Sequence, residues 1–173
     1  MLRVALLGGE SSGKSTLAQQ LHSGLSTQGI DVHTVPEHLR EWCERAGRAP
    51  HAHEQAAIAT EQTRLIEAAR AEVVIADTTA LVVAAYSELY FKDRSLWPAA
   101  IAAQRSMGLT LLMGLDLPWR SDGFFRDSPA VREATDALLR RELQAAGIGF
   151  QTIYGQGTLR LKAALGAIGT VLG

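Results

Sequence analysis

Near the amino terminus the residues Gly8-Gly9-Glu10-Ser11-Ser12-Gly13-Lys14-Ser15 fit the pattern G-x-x-x-x-G-K-[ST]. Glycines let a backbone curl until successive N–H groups point at one oxyanion, and a helix that starts there adds partial positive charge. In this pattern Lys14 would reach the β- and γ-phosphates of a nucleoside triphosphate, and the Ser15 hydroxyl would ligate Mg²⁺. Gly8, Gly9, Glu10, Ser11, Ser12, Gly13, Lys14, Ser15 and Thr16 are therefore the candidate ATP-binding residues. A plain glycine turn between strand and helix is the alternative, and the Lys-Ser pair weighs against it. Such a loop needs a carboxylate on the metal side. The run Val73-Val74-Ile75-Ala76-Asp77 supplies an apolar strand that ends in an acid. In parallel α/β sheets ligands bind at that carboxyl edge, so Asp77 is the candidate Mg²⁺ acid, acting directly or through a water. Its alternative role is to cap a helix that starts near Thr79.

Two further segments carry chemistry. In Val35-Pro36-Glu37-His38-Leu39-Arg40-Glu41-Trp42, Glu37 follows a strand and should lie on the same edge. A carboxylate there could take the proton of a substrate hydroxyl as its oxygen attacks the γ-phosphorus. Arg40 could hold a polar substrate group, and Trp42 could stack on a ring or simply line the core. An acid at that position would also suit a helix N-terminus. The second segment, Asp116 to Asp127, is polar and carries Arg120 and Arg126, with Arg132, Arg140 and Arg141 beyond it. Guanidinium groups closing over phosphates neutralise developing charge and exclude water. Arg126 and Arg132 are the leading closing residues, with Arg120 behind them. Arg140 and Arg141 read as a solvated helix face. Asp116 and Asp122 could bind substrate hydroxyls or cap turns.

These groups need a scaffold that brings them to one edge. Short apolar runs at Leu2–Leu7, 31–35, 72–76, Leu109–Leu115 and 149–154 predict strands. Helices are predicted over 14–28, 37–46, 50–71, 79–89, 95–106, 130–146 and Thr158–Leu172, with a loop over 118–129 and a turn at 155–157. Alternation of this kind predicts an α/β three-layer sandwich: a mostly parallel five-stranded sheet between helices, with an Arg-bearing lid over about 117–132. With 173 residues, one domain over 1–173 is expected. Hydrophobic residues make up 47% and charged residues 20%, and 17 basic against 18 acidic side chains leave a net charge of −1. No general positive field for nucleic acid results. The one cysteine, Cys43, excludes an internal disulfide and a cysteine-based zinc site. No apolar run approaches the roughly 20 residues of a membrane span, so a soluble, cytoplasmic protein is expected.

Several conspicuous residues read as structural. His51 and His53 at i, i+2 do not share a helix face, so His51-Ala52-His53-Glu54 is a polar helix start rather than a metal site. Asp93 reads as a helix cap. Tyr86, Tyr90 and Phe91 form a core stripe or a wall of an acceptor pocket. Gly155-Gln156-Gly157 falls where adenine sits in folds of this kind. Gln62 is a guess for an acceptor contact. The chain lacks an Asn/Thr-Lys-x-Asp tetrapeptide of guanine readers and the added regions of mechanical ATPases, which favours a small-molecule kinase.

The glycine loop, Val74-Ile75-Ala76-Asp77-Thr78, and Asp116-Leu117-Pro118-Trp119-Arg120-Ser121-Asp122-Gly123 with Arg126 together resemble the ribosylnicotinamide kinase module of NadR, within the P-loop NTPase superfamily. The likeness spans nearly the whole chain, with residues 43–72 unmatched individually. It implies ATP- and Mg²⁺-dependent phosphorylation of the 5′-hydroxyl of nicotinamide riboside, in NAD salvage, with Glu37 and Arg40 as its acid–base pair. The Val35-Pro36-Glu37 segment also resembles deoxynucleoside kinases, where the Glu is the base, so another nucleoside acceptor is the runner-up. NadR carries a DNA-binding helix-turn-helix and an adenylyltransferase domain as well. This chain begins at the kinase strand, so those activities are not expected. A nucleotide-dependent regulator acting on a protein partner is the competing class.

Overall fold

The computed structural model describes residues 1–121 and 128–173. Its elements run β1 (Leu2–Leu7), α1 (Lys14–Ser26), β2 (Val32–Val35), α2 (His38–Ala46), α3 (Gln55–Ala68), β3 (Val73–Asp77), α4 (Ala80–Phe91), α5 (Trp97–Gln104), β4 (Leu109–Met113), α6 (Pro129–Ala145), β5 (Gln151–Ile153) and α7 (Thr158–Leu172). The strands order as β2-β3-β1-β4-β5, and every pairing is parallel. The predicted α/β three-layer sandwich is thus present.

Strand periodicity of two explains the layers. Val4 and Leu6 point to one face of β1 and pack with Leu17, Leu21, Leu25, Ala164 and Ile168 of α1 and α7. Ala5 and Leu7 point to the other face and pack with α2, α3, α4 and α6 through Leu39, Ile58, Leu81, Leu139 and Leu143. α4 is apolar around its whole circumference, and Ala80 to Ser87 are all buried. That is the pattern of a helix enclosed by other elements, here α3, α5 and α6.

The structure corrects the single helix predicted over 50–71. A 3-10 turn, Ala52–Glu54, precedes α3, which stops at Ala68. Glu54 Oε2 accepts from the His51 N–H at 2.7 Å and from Arg48 at 2.8 Å, pinning the turn as a separate cap. At the far end Ala69 is extended, and Arg70 Nη1 donates to the carbonyls of Glu67 and Ala69. α2 likewise starts at His38, with Glu37 outside it as the N-cap residue. The other boundaries lie within a few residues of prediction. Among the described residues no helix is long and apolar enough to cross a membrane.

Candidate functional site

β1 delivers the chain to the carboxyl edge of the sheet, where the glycine loop turns it back into α1. Gly8 has φ +151°, and a Cβ there would stand 2.7 Å from Ser12 Oγ. Gly13 is the N-cap of α1 at φ +80°, and a Cβ there would meet Leu117 Cδ1 at 2.7 Å. Both positions exclude a side chain, so the loop keeps its concave inner surface. Lys14 is 6% exposed, and its Nζ donates to the Gly9 carbonyl at 3.0 Å. The Ser12 hydroxyl donates to the same carbonyl at 2.7 Å. The ammonium is therefore held inside the loop and desolvated, where it interacts more strongly with an anion than it would in water. Ser15 and Thr16 open α1 at its positive end.

Asp77 ends β3, and its partner across the ladder is Leu6 of β1. The helix-cap alternative is filled by another residue: Thr79 Oγ1 accepts from the Leu81 N–H at 3.3 Å. Asp77 Oδ1 is buried with no hydrogen-bond partner among the described residues. The next residue, Thr78, has φ +80°, rare for a β-branched side chain and a strain that collects at functional sites. Buried carboxylate oxygen is costly unless something binds it, so the acid fits a cation. Among the described residues no group of three or more His, Cys, Asp or Glu could hold a metal by itself. One carboxylate, the Ser15 hydroxyl and the phosphates of a bound nucleotide would supply oxygen ligands of the kind Mg²⁺ takes.

Glu37 stands at the N-cap of α2, where a negative charge suits the helix N-terminus, and its side chain makes no cap bond. Its carboxylate lies 3.9 Å from Arg40 Nε, with the Glu37 side chain 12% exposed. The strand order puts Glu37, Asp77 and the glycine loop at three successive strand ends, β2, β3 and β1. At about 4.8 Å per strand spacing, the ends of β2 and β1 are roughly 10 Å apart.

Gln62, the residue guessed for an acceptor contact, is fully buried, and both ends of its amide are used within the chain. Its Oε1 accepts from the His38 N–H at 2.7 Å, and its Nε2 donates to the Pro36 carbonyl at 3.2 Å. Trp42 is half-buried against the α4 core, and one of its faces is covered by the Arg48 guanidinium at 5.0 Å. His51 and His53 stack at 5.8 Å as part of the turn. Tyr86 serves both the core and the loop, since its hydroxyl accepts from the Glu10 N–H at 3.0 Å. The Glu10 amide is thereby engaged by α4. Burial pushes the Cys43 thiol up to about 11, and nearby Glu37 and Glu44 add to the rise, leaving it unreactive.

The start of the predicted lid folds onto the loop. Arg132 Nη1 donates to the carbonyls of Ser11 at 3.1 Å and Leu117 at 2.8 Å, and the Arg120 N–H donates to Ser11 Oγ at 2.7 Å. Arg132 is thus brought to the nucleotide loop. Asp122 and Arg126 lie outside the described residues. Arg140 and Arg141 are used in ion pairs, Arg140 with Asp136 and Arg141 with Glu88 and Glu142. Asp116 is tied into the scaffold: it accepts from the Gly155 N–H at 2.6 Å and pairs with Arg160 at 2.7 Å. Partial burial alone would raise the Asp116 pKa, but these partners hold it below the ordinary value.

Sequence reasoning missed Arg160 and Gln55. Arg160, buried on α7, donates to the carbonyls of Ser12 at 2.8 Å, Gly155 at 2.8 Å and Gly114 at 3.3 Å, in addition to Asp116. It locks the glycine loop to the end of β4 and the turn after β5. Gln55 opens α3 fully buried, and neither end of its amide has a partner among the described residues. Its only signal in the sequence is a polar residue in register with Ile58, Gln62 and Ile66 on the buried stripe.

A family model described as AAA domain matches residues 3–159. The chain belongs to this AAA domain family. No curated protein matches it. Among solved structures it is similar to NadR in complex with NR, at 21% identity and a TM-score of 0.76. That match covers 99% of this chain and 51% of the other, so the family member spans about half the length of NadR. It is also similar to deoxyadenosine kinase from M. mycoides. The structure with bound dCTP gives a TM-score of 0.64 at 11% identity, covering 98% of this chain and 100% of that one. The structure with the products dCMP and dCDP gives 0.66 at 13%, with the same coverage. These likenesses establish a P-loop fold of the nucleoside-kinase type for this AAA-domain chain, and they bear out the NadR resemblance at the level of fold.

Proposed function

We propose that the chain is an ATP- and Mg²⁺-dependent phosphotransferase whose acceptor is the 5′-hydroxyl of a nucleoside, nicotinamide riboside first among them. The observation that carries this reading is the row of three strand ends. After β1 stands a buried lysine in a glycine loop, at the end of β3 a carboxylate with a buried oxygen that no described residue partners, and after β2 the acid Glu37 beside Arg40. A pure switch protein has no use for the third.

The loop and Lys14 bind and orient the triphosphate. Ser15 and Asp77 would hold Mg²⁺, which when bound neutralises charge on the β- and γ-oxygens. Glu37 accepts the proton of the acceptor hydroxyl as its oxygen bonds to the γ-phosphorus and the bond to the ADP oxygen breaks. Arg40 stands beside Glu37 to orient the acceptor. Arg132 brings positive charge to the loop, and the segment from Leu117 onward, including Asp122 and Arg126, shields the reaction from water. Nicotinamide riboside is favoured by the NadR likeness.

The test is a nucleoside panel with purified protein, ATP and Mg²⁺, read by mass spectrometry. Nicotinamide mononucleotide is the expected product. A deoxynucleoside monophosphate instead would move the acceptor to the deoxynucleoside class. ADP with no phosphorylated nucleoside would overturn the kinase reading and favour a nucleotide-dependent regulator.

A further inference from the structure

We infer that Gln62 is a positioning residue for the proton-accepting step: it clamps the peptide segment that presents Glu37. The inference rests on the reading of Glu37 as the base. Glu37 lies in a non-helical connection between β2 and α2, with φ −69° and ψ 103°. The peptides on either side of it set the direction in which its side chain leaves the backbone. Gln62 holds both of those peptides. Its amide oxygen takes the His38 N–H at 2.7 Å, and its amide nitrogen gives to the Pro36 carbonyl at 3.2 Å. The two bonds straddle Glu37, and the amide supplies both the acceptor and the donor they need on one rigid plane.

The clamp is itself rigid. Gln62 sits on the buried stripe of α3 between Ile58 and Ile66, and it is 0% exposed. Pro36 has no N–H to offer, so its carbonyl is the one polar main-chain group it contributes to the junction. The His38 N–H belongs to the first turn of α2, which has no partner within the helix. Gln62 therefore satisfies two groups that the turn would otherwise strand, and it fixes where the carboxylate emerges. Displacements near 1 Å cost up to about a hundredfold in rate when they move a reacting group. Both ends of the Gln62 amide are spent on the junction, so its effect should fall on turnover and leave ATP binding alone.

The experiment is a double-mutant cycle with Gln62→Met and Glu37→Gln, measuring kcat, KM for ATP and KM for the acceptor. Ile66→Val, on the same stripe, serves as the packing control, and thermal unfolding of each variant is recorded. Gln62→Met is expected to lower kcat between about 10- and 100-fold with KM for ATP unchanged. On a Glu37→Gln background it should lower kcat less than about twofold further, because the group it positions is already gone. Should Gln62→Met fail to fold, Gln62→Glu, which keeps an oxygen for the His38 N–H, takes its place in the cycle. Independent, multiplicative losses would overturn the clamp while leaving Glu37 as base. So would a Gln62 variant with kcat no lower than that of Ile66→Val. If Glu37→Gln itself leaves turnover intact, the base assignment falls, and the clamp with it.

Discussion

The two sides of the proposed site are built by different means. On the nucleotide side, main-chain carbonyls of the glycine loop are the anchor points. Gly9 receives Lys14 and Ser12, Ser11 receives Arg132, and Ser12 receives Arg160. The shape comes from backbone conformations that glycine alone adopts easily, and three separate segments of chain converge on it. On the acceptor side, side chains hold the backbone. Gln62 spans the β2–α2 junction, and Arg48 and Glu54 pin the turn before α3 beside Trp42. Phosphate binding is a fixed problem with a backbone solution. An acceptor site must vary between substrates, and helix side chains can be exchanged without refolding the sheet.

That contrast predicts where substitutions will register. The largest effect falls on Lys14→Ala, expected to lower phosphoryl transfer by about a thousandfold or more, since it removes the buried ammonium held inside the glycine loop. Steady-state kinetics at saturating ATP would measure it. Glu37→Gln comes next, with kcat expected to fall between about 10²- and 10⁴-fold while the affinity for a fluorescent ATP analogue stays level. Weakened nucleotide binding in that variant would erase the division between the two halves. Arg160→Met should act through stability instead. Its loss strands the Ser12, Gly155 and Gly114 carbonyls, and about 2–4 kcal/mol is expected by chemical denaturation, with a raised KM for ATP.

The smallest effect concerns the turn before α3. The hydrogen bonds from Arg48 and then the His51 N–H lower the Glu54 pKa from 4.5 to about 2. A carboxylate lowered in this way contributes stability above its unfolded pKa, near 4.5, and that contribution disappears as pH falls toward about 2. The stability difference between the wild type and Glu54→Gln should therefore be flat at neutral pH and vanish in acid. A difference that instead grows in acid would contradict the assignment.

The nucleotide half was legible because its backbone geometry demands particular residues at particular spacings. Gly8, Gly13, Lys14 and the apolar strand ending in Asp77 leave few alternatives. The five strands were legible for a related reason, since both faces of a parallel sheet are covered and the runs at β1 and β3 are continuous. The acceptor half was not. Gln62 looks like any polar residue of a helix, and only the fold reveals that its amide closes on a junction 26 residues earlier in the chain. Even on the glycine-loop side Arg160 was hidden: it lies 148 residues from its partner Ser12, and nothing in its own neighbourhood announces that contact. The helix expected from 50 to 71 failed at its ends because Arg48, Glu54 and Arg70 offer the backbone local alternatives that periodicity does not register.

Tracing the terminal phosphate tests the central claim most directly. With γ-labelled ATP, Mg²⁺ and nicotinamide riboside, the label is expected in the 5′-phosphate of the nucleoside, and Glu37→Gln should suppress its appearance. Label that collects in inorganic phosphate at the same rate with or without any nucleoside would contradict the account.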